Sequence, residues 1–533
     1  MNPSFLAIAA LSTGLGTTPI QSQWQTSGSM EQVLRRYSTD RAALDRLHTF
    51  EESPTRRARL RAFYEGWIEE LDRVDFDNLG TGGKADWIAL KNRLRYLNEK
   101  LEFEEARLEE AGFLMPFLND IVQLHEQRMS KGLPDPEKAG ASLSQLIKSI
   151  DESKKSLEAK VKASSADKVA AEPIARRAVN ALNNSRRSLN NWYEHFSGYD
   201  PLFTWWTKRP YEDAGKKLAS YTDFIRDTFV PSAKDEKAAI VGDPIGEKAL
   251  QRELDHEMIP YTPNELIEIA KKEMDWCNKE MIAASKELGF GDDWRKALEH
   301  VKTLHVEPGK QPQMVVELAQ EAIDYLETND LLTIPPLAKE LWRLDMMSPE
   351  RQLIAPFFLG GETIIVSFPT DTMTHDQKLM SMRANNRYFS KATVHHELIP
   401  GHHLQGFMTS RFNTHRRGVI NTPFWVEGWA LYWEFLLYKR KFAATPEERI
   451  GFLFWRKHRC ARIIFSLSYH MGSMTANECV EMLVNDVGHE RSTAEGEVRR
   501  SFGGDYPPLY QAAYMLVLSR SGSFDGNSSI PER

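Results

Sequence analysis

Apolar residues recur at three- and four-residue intervals between Ser29 and about Val230, and this spacing constrains the fold more than any other feature. The clearest stretches are LRAFYEGWIEELDRV, DWIALKNRLRYLNEKLEFEEARLEEA and SLSQLIKSIDESKKSLEAKVKA, with charged residues between the apolar positions. This is the period of an amphipathic α-helix that buries one face. The sequence therefore predicts long helices that form a scaffold, or one wall or lid of a cleft.

The best candidate for a domain boundary is VPSAKDEKAAIVGDPIGEK, at residues 230–248, where proline, glycine and charge cluster. We expect a leader or disordered N-terminus over residues 1–25 and a helical lid or scaffold over 26–240. The remaining part, 241–533, is expected to be the catalytic region.

Two local patterns complete the expected fold class. Thr262 stands ahead of Pro263 and Glu265, as an N-cap does at the start of a long helix. The stretch Thr363–Phe368 is β-branched and flanked by glycine and proline, so it predicts a strand. The expected class is mainly α, a large helical fold with a deep cleft and a small β-sheet near the active site.

Charge and hydropathy argue against several kinds of partner. The net charge is −7 and no long basic block is present, so nothing favours nucleic acid. No stretch has the roughly 18 uninterrupted apolar residues of a membrane span. The three cysteines show no CxxC spacing and are expected to be buried and reduced. The apolar run Phe5–Gly16 lacks a preceding Lys or Arg, which leaves export and a cytoplasmic location both open.

The segment KATVHHELIPGHHLQ holds four histidines and one glutamate between His395 and His403. It differs from HExxH, in which histidines four apart on one helix face bind one zinc, because Pro400 and Gly401 intervene. In a regular helix, His396 and His402 would lie about 9 Å apart along the axis. Since Pro400 lacks an N–H and Gly401 permits unusual backbone angles, a local bulge could bring the two imidazoles together. The alternative is that Pro-Gly merely ends the helix.

The stretch from Asn421 to Leu437 is strongly apolar and carries two acids, Glu427 and Glu434, seven residues apart on one helix face. Buried carboxylates are costly unless they are paired or bind a metal. Glu427 is the best third ligand, and Glu434 the best partner for an imidazole N–H. Alternatively, one of the two forms a salt bridge with a nearby Arg or Lys.

HHELIPGHHLQ followed by VEGWALYWE resembles the bacterial family called domain of unknown function 885, whose members carry HExxPGHHxQ and EGWALYxE. That family in turn resembles the gluzincin zinc peptidases. The similarity runs from about Pro244 to Leu518 and more loosely over the N-terminal helices. It implies a helical fold with a deep cleft and a single zinc ion. It also implies His396, His402 and Glu427 as ligands and Glu397 as the general base.

Side chains near the C-terminal end could stabilise the oxyanion that forms during hydrolysis. The candidates are His470, Arg499, Tyr510 and Tyr514. The family has a histidine where His470 stands and a Gln-Ala-x-x-Tyr that ends at Tyr514. An aspartate usually precedes that histidine by four residues, and this chain has Ser466 there, so how His470 is held stays open.

The expected function is therefore zinc-dependent hydrolysis of short peptides, with Glu397 as base. In peptidases of the kind that this chain resembles, a short edge strand binds the extended substrate, and we expect Thr363–Phe368 to have that role. Two alternatives remain. A His/Glu site also suits iron or zinc in a non-peptidase metalloenzyme, and the chain could be an inactive, peptide-binding relative. The sequence predicts neither the cleavage polarity nor the oligomeric state.

Overall fold

The computed structural model describes residues 29–130, 132–234, 240–352, 357–420, 422–503 and 506–514, so the leader expected at 1–25 lies outside the described residues. The α-helices are α1 Glu31–Leu47, α2 Pro54–Asp72, α3 Thr81–Ala111, α4 Leu118–Met129, α5 Pro136–Ala163, α6 Ala166–Val169, α7 Glu172–Phe196, α8 Pro201–Phe229, α9 Glu247–His256, α10 Pro263–Glu287, α11 Trp294–Thr303, α12 Gln311–Thr328, α13 Pro336–Leu341, α14 Pro349–Gln352, α15 His375–Ala384, α16 Arg387–Glu397, α17 His402–Thr409, α18 Pro423–Lys439, α19 Pro446–His470, α20 Ala476–Met482 and α21 Arg491–Phe502. The strands are β1 Arg343–Met346 and β2 Thr363–Val366. The prediction of a mainly helical chain with a small sheet is confirmed.

The chain divides into two compact units. The first comprises Met1–Thr49, Pro54–Glu102 and His415–Ile420. In its core, the rings of Tyr37 and Trp67 meet edge to face at 5.6 Å. The second comprises Phe50–Ser53, Phe103–Thr414 and Asn421–Arg533. The division predicted near residue 240 stays a prediction.

The N-terminal helices of the second unit, α4, α5, α7 and α8, share one apolar core. Trp192, Phe196 and Phe203 are buried in it, with ring centroids 5.2 to 6.3 Å apart. The hydroxyl of Tyr221 donates to the carbonyl oxygen of Leu114 at 2.6 Å. This buried bond fixes α8 against the turn that precedes α4.

A larger core surrounds α19, whose residues from Ile450 to His470 are almost all buried. A helix buried on every side is central to its unit, and α10, α16 and α18 contribute side chains to the same core. Helix α10 starts as predicted: Thr262 accepts from the backbone of Glu265, and the Glu265 carboxylate accepts from Thr262. Cys277 and Cys460 are buried and unbridged in this core, as is Cys479, which confirms the expectation for the cysteines.

The sheet consists of β1 and β2, paired in parallel with Arg343 opposite Thr363. Leu359 covers the other side of β2, because it exchanges two backbone hydrogen bonds with Ile365, at 3.1 and 2.7 Å. The predicted strand is present, two residues shorter than expected. The expectation that this strand offers its edge to a substrate is wrong, because Ile365 is paired with Asp345 on one side and with Leu359 on the other. The outer edge belongs to the segment around Leu359.

Within the described part of the chain, no helix combines the length and the hydropathy needed to cross a membrane.

Candidate metal centre

The distortion at Pro400-Gly401 takes the form of a break between α16 and α17. Two backbone bonds span six residues instead of the four of an α-helix: Gly401 N–H donates to His395 at 3.0 Å, and Leu404 N–H donates to Leu398 at 3.2 Å. The two extra residues in each loop correspond to the inserted Pro-Gly pair. The backbone therefore forms a wider turn than an α-helix before α17 begins.

Gly401 lies in this break because no side chain fits there. A Cβ atom at this position would lie 2.7 Å from the carbonyl oxygen of His395 and nearer still to that of His396. The indole N–H of Trp429 donates to the carbonyl oxygen of Pro400 at 2.7 Å. Since Trp429 is on α18, the helix that carries Glu427 also holds the break.

The structure brings His396, His402 and Glu427 together. Oε2 of Glu427 lies 3.5 Å from Nε2 of His396 and 3.4 Å from Nε2 of His402. Two ligands bound at ~2.1 Å to one tetrahedral ion would be about 3.4 Å apart. One potential ligand atom from each residue lies within 4.8 Å of the other two, so the group could hold a metal ion.

The electrostatics of this group favour a cation. Burial alone would lower the pKa of His396, but the carboxylates of Glu427 and Glu434 raise it to about 9. Burial alone would raise the pKa of Glu427, and the imidazoles of His396 and His402 hold it well below its usual range. Among the described residues, no regular hydrogen bond reaches the buried Oε2 of Glu427. An ion at this point would satisfy an oxygen that is otherwise costly to bury.

Glu434 contacts the imidazole nitrogen of His396 that does not face Glu427. Its Oε1 lies 2.6 Å from Nδ1 of His396, on the side of the ring opposite Nε2. Nη2 of Arg459 lies 3.4 Å from the same Oε1. Burial would raise the pKa of Glu434, but Arg459 and His396 lower it. A carboxylate at Nδ1 is the usual way in which proteins orient a metal-binding imidazole.

The two remaining histidines of the segment are engaged elsewhere. Nδ1 of His395 lies 2.8 Å from the carbonyl oxygen of Lys391, and its ring stacks on Phe452. Nε2 of His403 lies 2.7 Å from the carbonyl oxygen of Ala338. A carbonyl accepts only, so each of these nitrogens carries the proton and donates. Both residues therefore fix the backbone around the site.

Glu397 directly follows His396 and lies against Gly360. A Cβ atom on Gly360 would be 2.5 Å from Cβ and 2.7 Å from Cα of Glu397. The backbone N–H of Gly361 also donates to the carbonyl oxygen of Glu397 at 3.3 Å. Burial raises the pKa of the Glu397 carboxyl, and the nearby His396 and His402 offset part of that effect.

The residues near the C-terminal end that were expected to stabilise an oxyanion lie in different surroundings. Tyr510 joins the site, because its hydroxyl donates to Oε1 of Glu427 at 2.8 Å. His470 ends α19 with its ring beside Tyr469 and Phe502, and burial lowers its pKa to about 4, with a smaller contribution from Arg107. Arg499 is exposed on α21. The side chain of Tyr514 lies outside the described part of the chain. The catalytic functions of His470 and Tyr514 stay predictions.

Sequence reasoning missed the residues that approach the site from distant parts of the chain. Gly360 and Gly361 had a visible signal, since paired glycines next to a strand often mark a close backbone approach. Arg459 had none, because its contact with Glu434 depends on how α19 packs against α18.

Comparison with known protein families identifies the family of this chain. The family model described as "Bacterial protein of unknown function (DUF885)" matches residues 35–516. The chain belongs to the DUF885 family. No significant match was found among curated proteins.

Two solved structures share the fold of this DUF885 chain. One is described as "a putative lipoprotein of unknown function" from Shewanella oneidensis, with 16% identity, a TM-score of 0.64 and 92% of each chain covered. The other, described as "the putative lipoprotein" from Colwellia psychrerythraea, has 14% identity, a TM-score of 0.51 and the same coverage. Identities this low indicate a shared fold and no more.

Proposed function

We propose that this DUF885 protein is a zinc-dependent hydrolase that cleaves short peptides, with His396, His402 and Glu427 as ligands. The observation that carries the proposal is the convergence of these three buried or half-buried side chains around Oε2 of Glu427. The neighbouring Glu397 supports the assignment, as does the resemblance of its motif to those of gluzincin peptidases.

Zinc fits this donor set better than calcium or magnesium does. Two imidazoles and one carboxylate form a well-known catalytic zinc set, in which a fourth position stays open. Calcium and magnesium prefer a shell of oxygen ligands only. When bound, zinc supplies a Lewis acid that polarises the substrate carbonyl and lowers the pKa of water.

Glu397 is the proposed general base. It takes a proton from the attacking water as the new C–O bond forms, and it returns that proton to the amine as the C–N bond breaks. Gly360 leaves the space that the Glu397 side chain occupies, because a Cβ atom at that position would overlap it. The hydroxyl of Tyr510 holds Oε1 of Glu427 and leaves Oε2 for the ion.

A peptide is the proposed substrate because a backbone edge lies beside the base. Leu359 directs its N–H and carbonyl at Ile365. In an extended segment the flanking residues direct theirs to the opposite side, so we expect those of Phe358 and Gly360 to face away from the sheet. An extended substrate could add to this edge by main-chain hydrogen bonds next to Glu397.

The test combines metal analysis with cleavage of a mixed peptide library read by mass spectrometry. We expect one zinc per chain and new peptide termini in the wild type. Glu397→Gln should keep the zinc and lose the cleavage, whereas Glu362→Gln, an exposed glutamate nearby, should keep both. Unchanged cleavage by Glu397→Gln would remove the assigned base. Redox-active iron in place of zinc would favour the alternative of a non-peptidase metalloenzyme.

A further inference from the structure

Two arginines of helix α19 belong to separate routes, that is, chains of polar contacts around the metal centre. Arg459 reaches Glu434, which contacts His396. Arg462, three residues later, donates from Nε to Oε1 of Glu497 at 2.7 Å. The first route is an ordinary support for a metal-binding imidazole. The second ends in a buried carboxylate that the proposed reaction does not use.

Glu497 is the centre of a buried polar cluster. Besides Arg462, its carboxylate pairs with Nη2 of Arg500 at 2.6 Å and accepts from Nε2 of Gln511 at 3.0 Å. Burial would raise its pKa, but Arg462 and Arg500 lower it to about 2. A carboxylate held by three donors is fixed in both position and charge.

Gln511 connects this cluster to the metal centre through the backbone. It immediately follows Tyr510, whose hydroxyl donates to Oε1 of the ligand Glu427 at 2.8 Å. The amide of Gln511 contacts both Glu497 and the hydroxyl of Ser501, so two residues of α21 hold it. Adjacent residues cannot move independently in a short turn, so the position of Gln511 constrains that of Tyr510.

We infer that Glu497 is a positioning residue for the metal centre, and that it acts through Gln511 and Tyr510 on Glu427. Its contribution is to hold one carboxylate oxygen of Glu427 on Tyr510, so that the other oxygen points at the ion. This inference rests on the metal site of the proposed function, and it does not depend on what the enzyme hydrolyses. Outer contacts of this kind change metal affinity by about 10- to 100-fold.

The test is a double-mutant cycle on zinc affinity, measured by competition with a chromogenic chelator. Tyr510→Phe removes the hydroxyl, and Gln511→Met removes the amide that reaches Glu497 at similar size. We expect each single variant to weaken zinc binding, by about tenfold for Tyr510→Phe. The double variant should bind zinc no more weakly than Tyr510→Phe alone. Effects that multiply, or full affinity in Gln511→Met, would overturn the inference.

A matched control separates positioning from stability. Gln352 is another buried glutamine, whose amide donates to the carbonyl oxygen of Met347 at 3.0 Å, away from the cluster. Gln352→Met should lower the melting temperature and leave zinc affinity unchanged. An equal loss of zinc affinity in this control would show that the effect is structural. Zinc binding without peptide cleavage would refute the proposed function alone, whereas no zinc binding in the wild type would refute both.

Discussion

Gly401→Ala is the substitution for which the structure gives the sharpest expectation. The added Cβ would lie 2.7 Å from the carbonyl oxygen of His395, and ordinary contact begins at 3.4 Å. The backbone must therefore open by at least 0.7 Å (3.4 − 2.7 Å), and by more on the side of His396. Metal–ligand distances tolerate only about ±0.2 Å. Because the break separates His396 from His402, we expect zinc affinity to fall by at least 100-fold, or about 2.7 kcal/mol.

The assay is a chelator competition titration, accompanied by thermal melts with and without zinc. Gly406→Ala is the matched control, because it lies in α17 and its added Cβ would meet no atom within 4 Å. Alanine favours a helix over glycine by roughly 1 kcal/mol, so this control should be slightly stabilised and bind zinc normally. Wild-type zinc affinity in Gly401→Ala would refute the idea that the break sets the ligand geometry.

Three further predictions concern the surroundings of the site. Glu434→Gln should weaken zinc binding by about 10- to 100-fold, measured by the same titration, because His396 loses the carboxylate at its Nδ1; unchanged affinity would contradict this support. Gly360→Ala should lower kcat, since the new Cβ overlaps Glu397; normal turnover of a cleaved peptide would contradict it. Burial lowers the pKa of His489 from 6.5 to about 3, so the unfolded chain binds this proton at a higher pH than the folded one does. The metal-free protein should therefore lose stability as the pH falls from 6.5 towards 3, on the order of 4 kcal/mol from this group, and His489→Gln should flatten that part of a thermal-melt profile. An unchanged profile in the variant would be the contrary result.

The sequence was informative wherever the chemistry is local. Helical spacing predicted the fold class, and the pattern at Thr262 predicted a capping box that the structure contains. The arithmetic of helix rise showed that His396 and His402 needed a distortion, and Pro400 and Gly401 indicated where it would be. All of these signals depend on residues close together in the chain.

Long-range packing accounts for what sequence reasoning missed or mistook. The strand at Thr363–Val366 was recognised, but its pairing with Leu359 depends on a turn whose path no local pattern encodes. Likewise, Arg462 and Glu497 meet only because α19 and α21 pack together. Glu497 looks in the sequence like any acid on an amphipathic helix.

The central claim is that one ion is bound by His396, His402 and Glu427. An anomalous-difference map recorded at the zinc edge from zinc-loaded crystals tests it directly. The account predicts one strong peak per chain, at about 2.0–2.2 Å from a nitrogen of each histidine and an oxygen of Glu427. A map with no peak between these side chains, or with the zinc bound elsewhere, would contradict it.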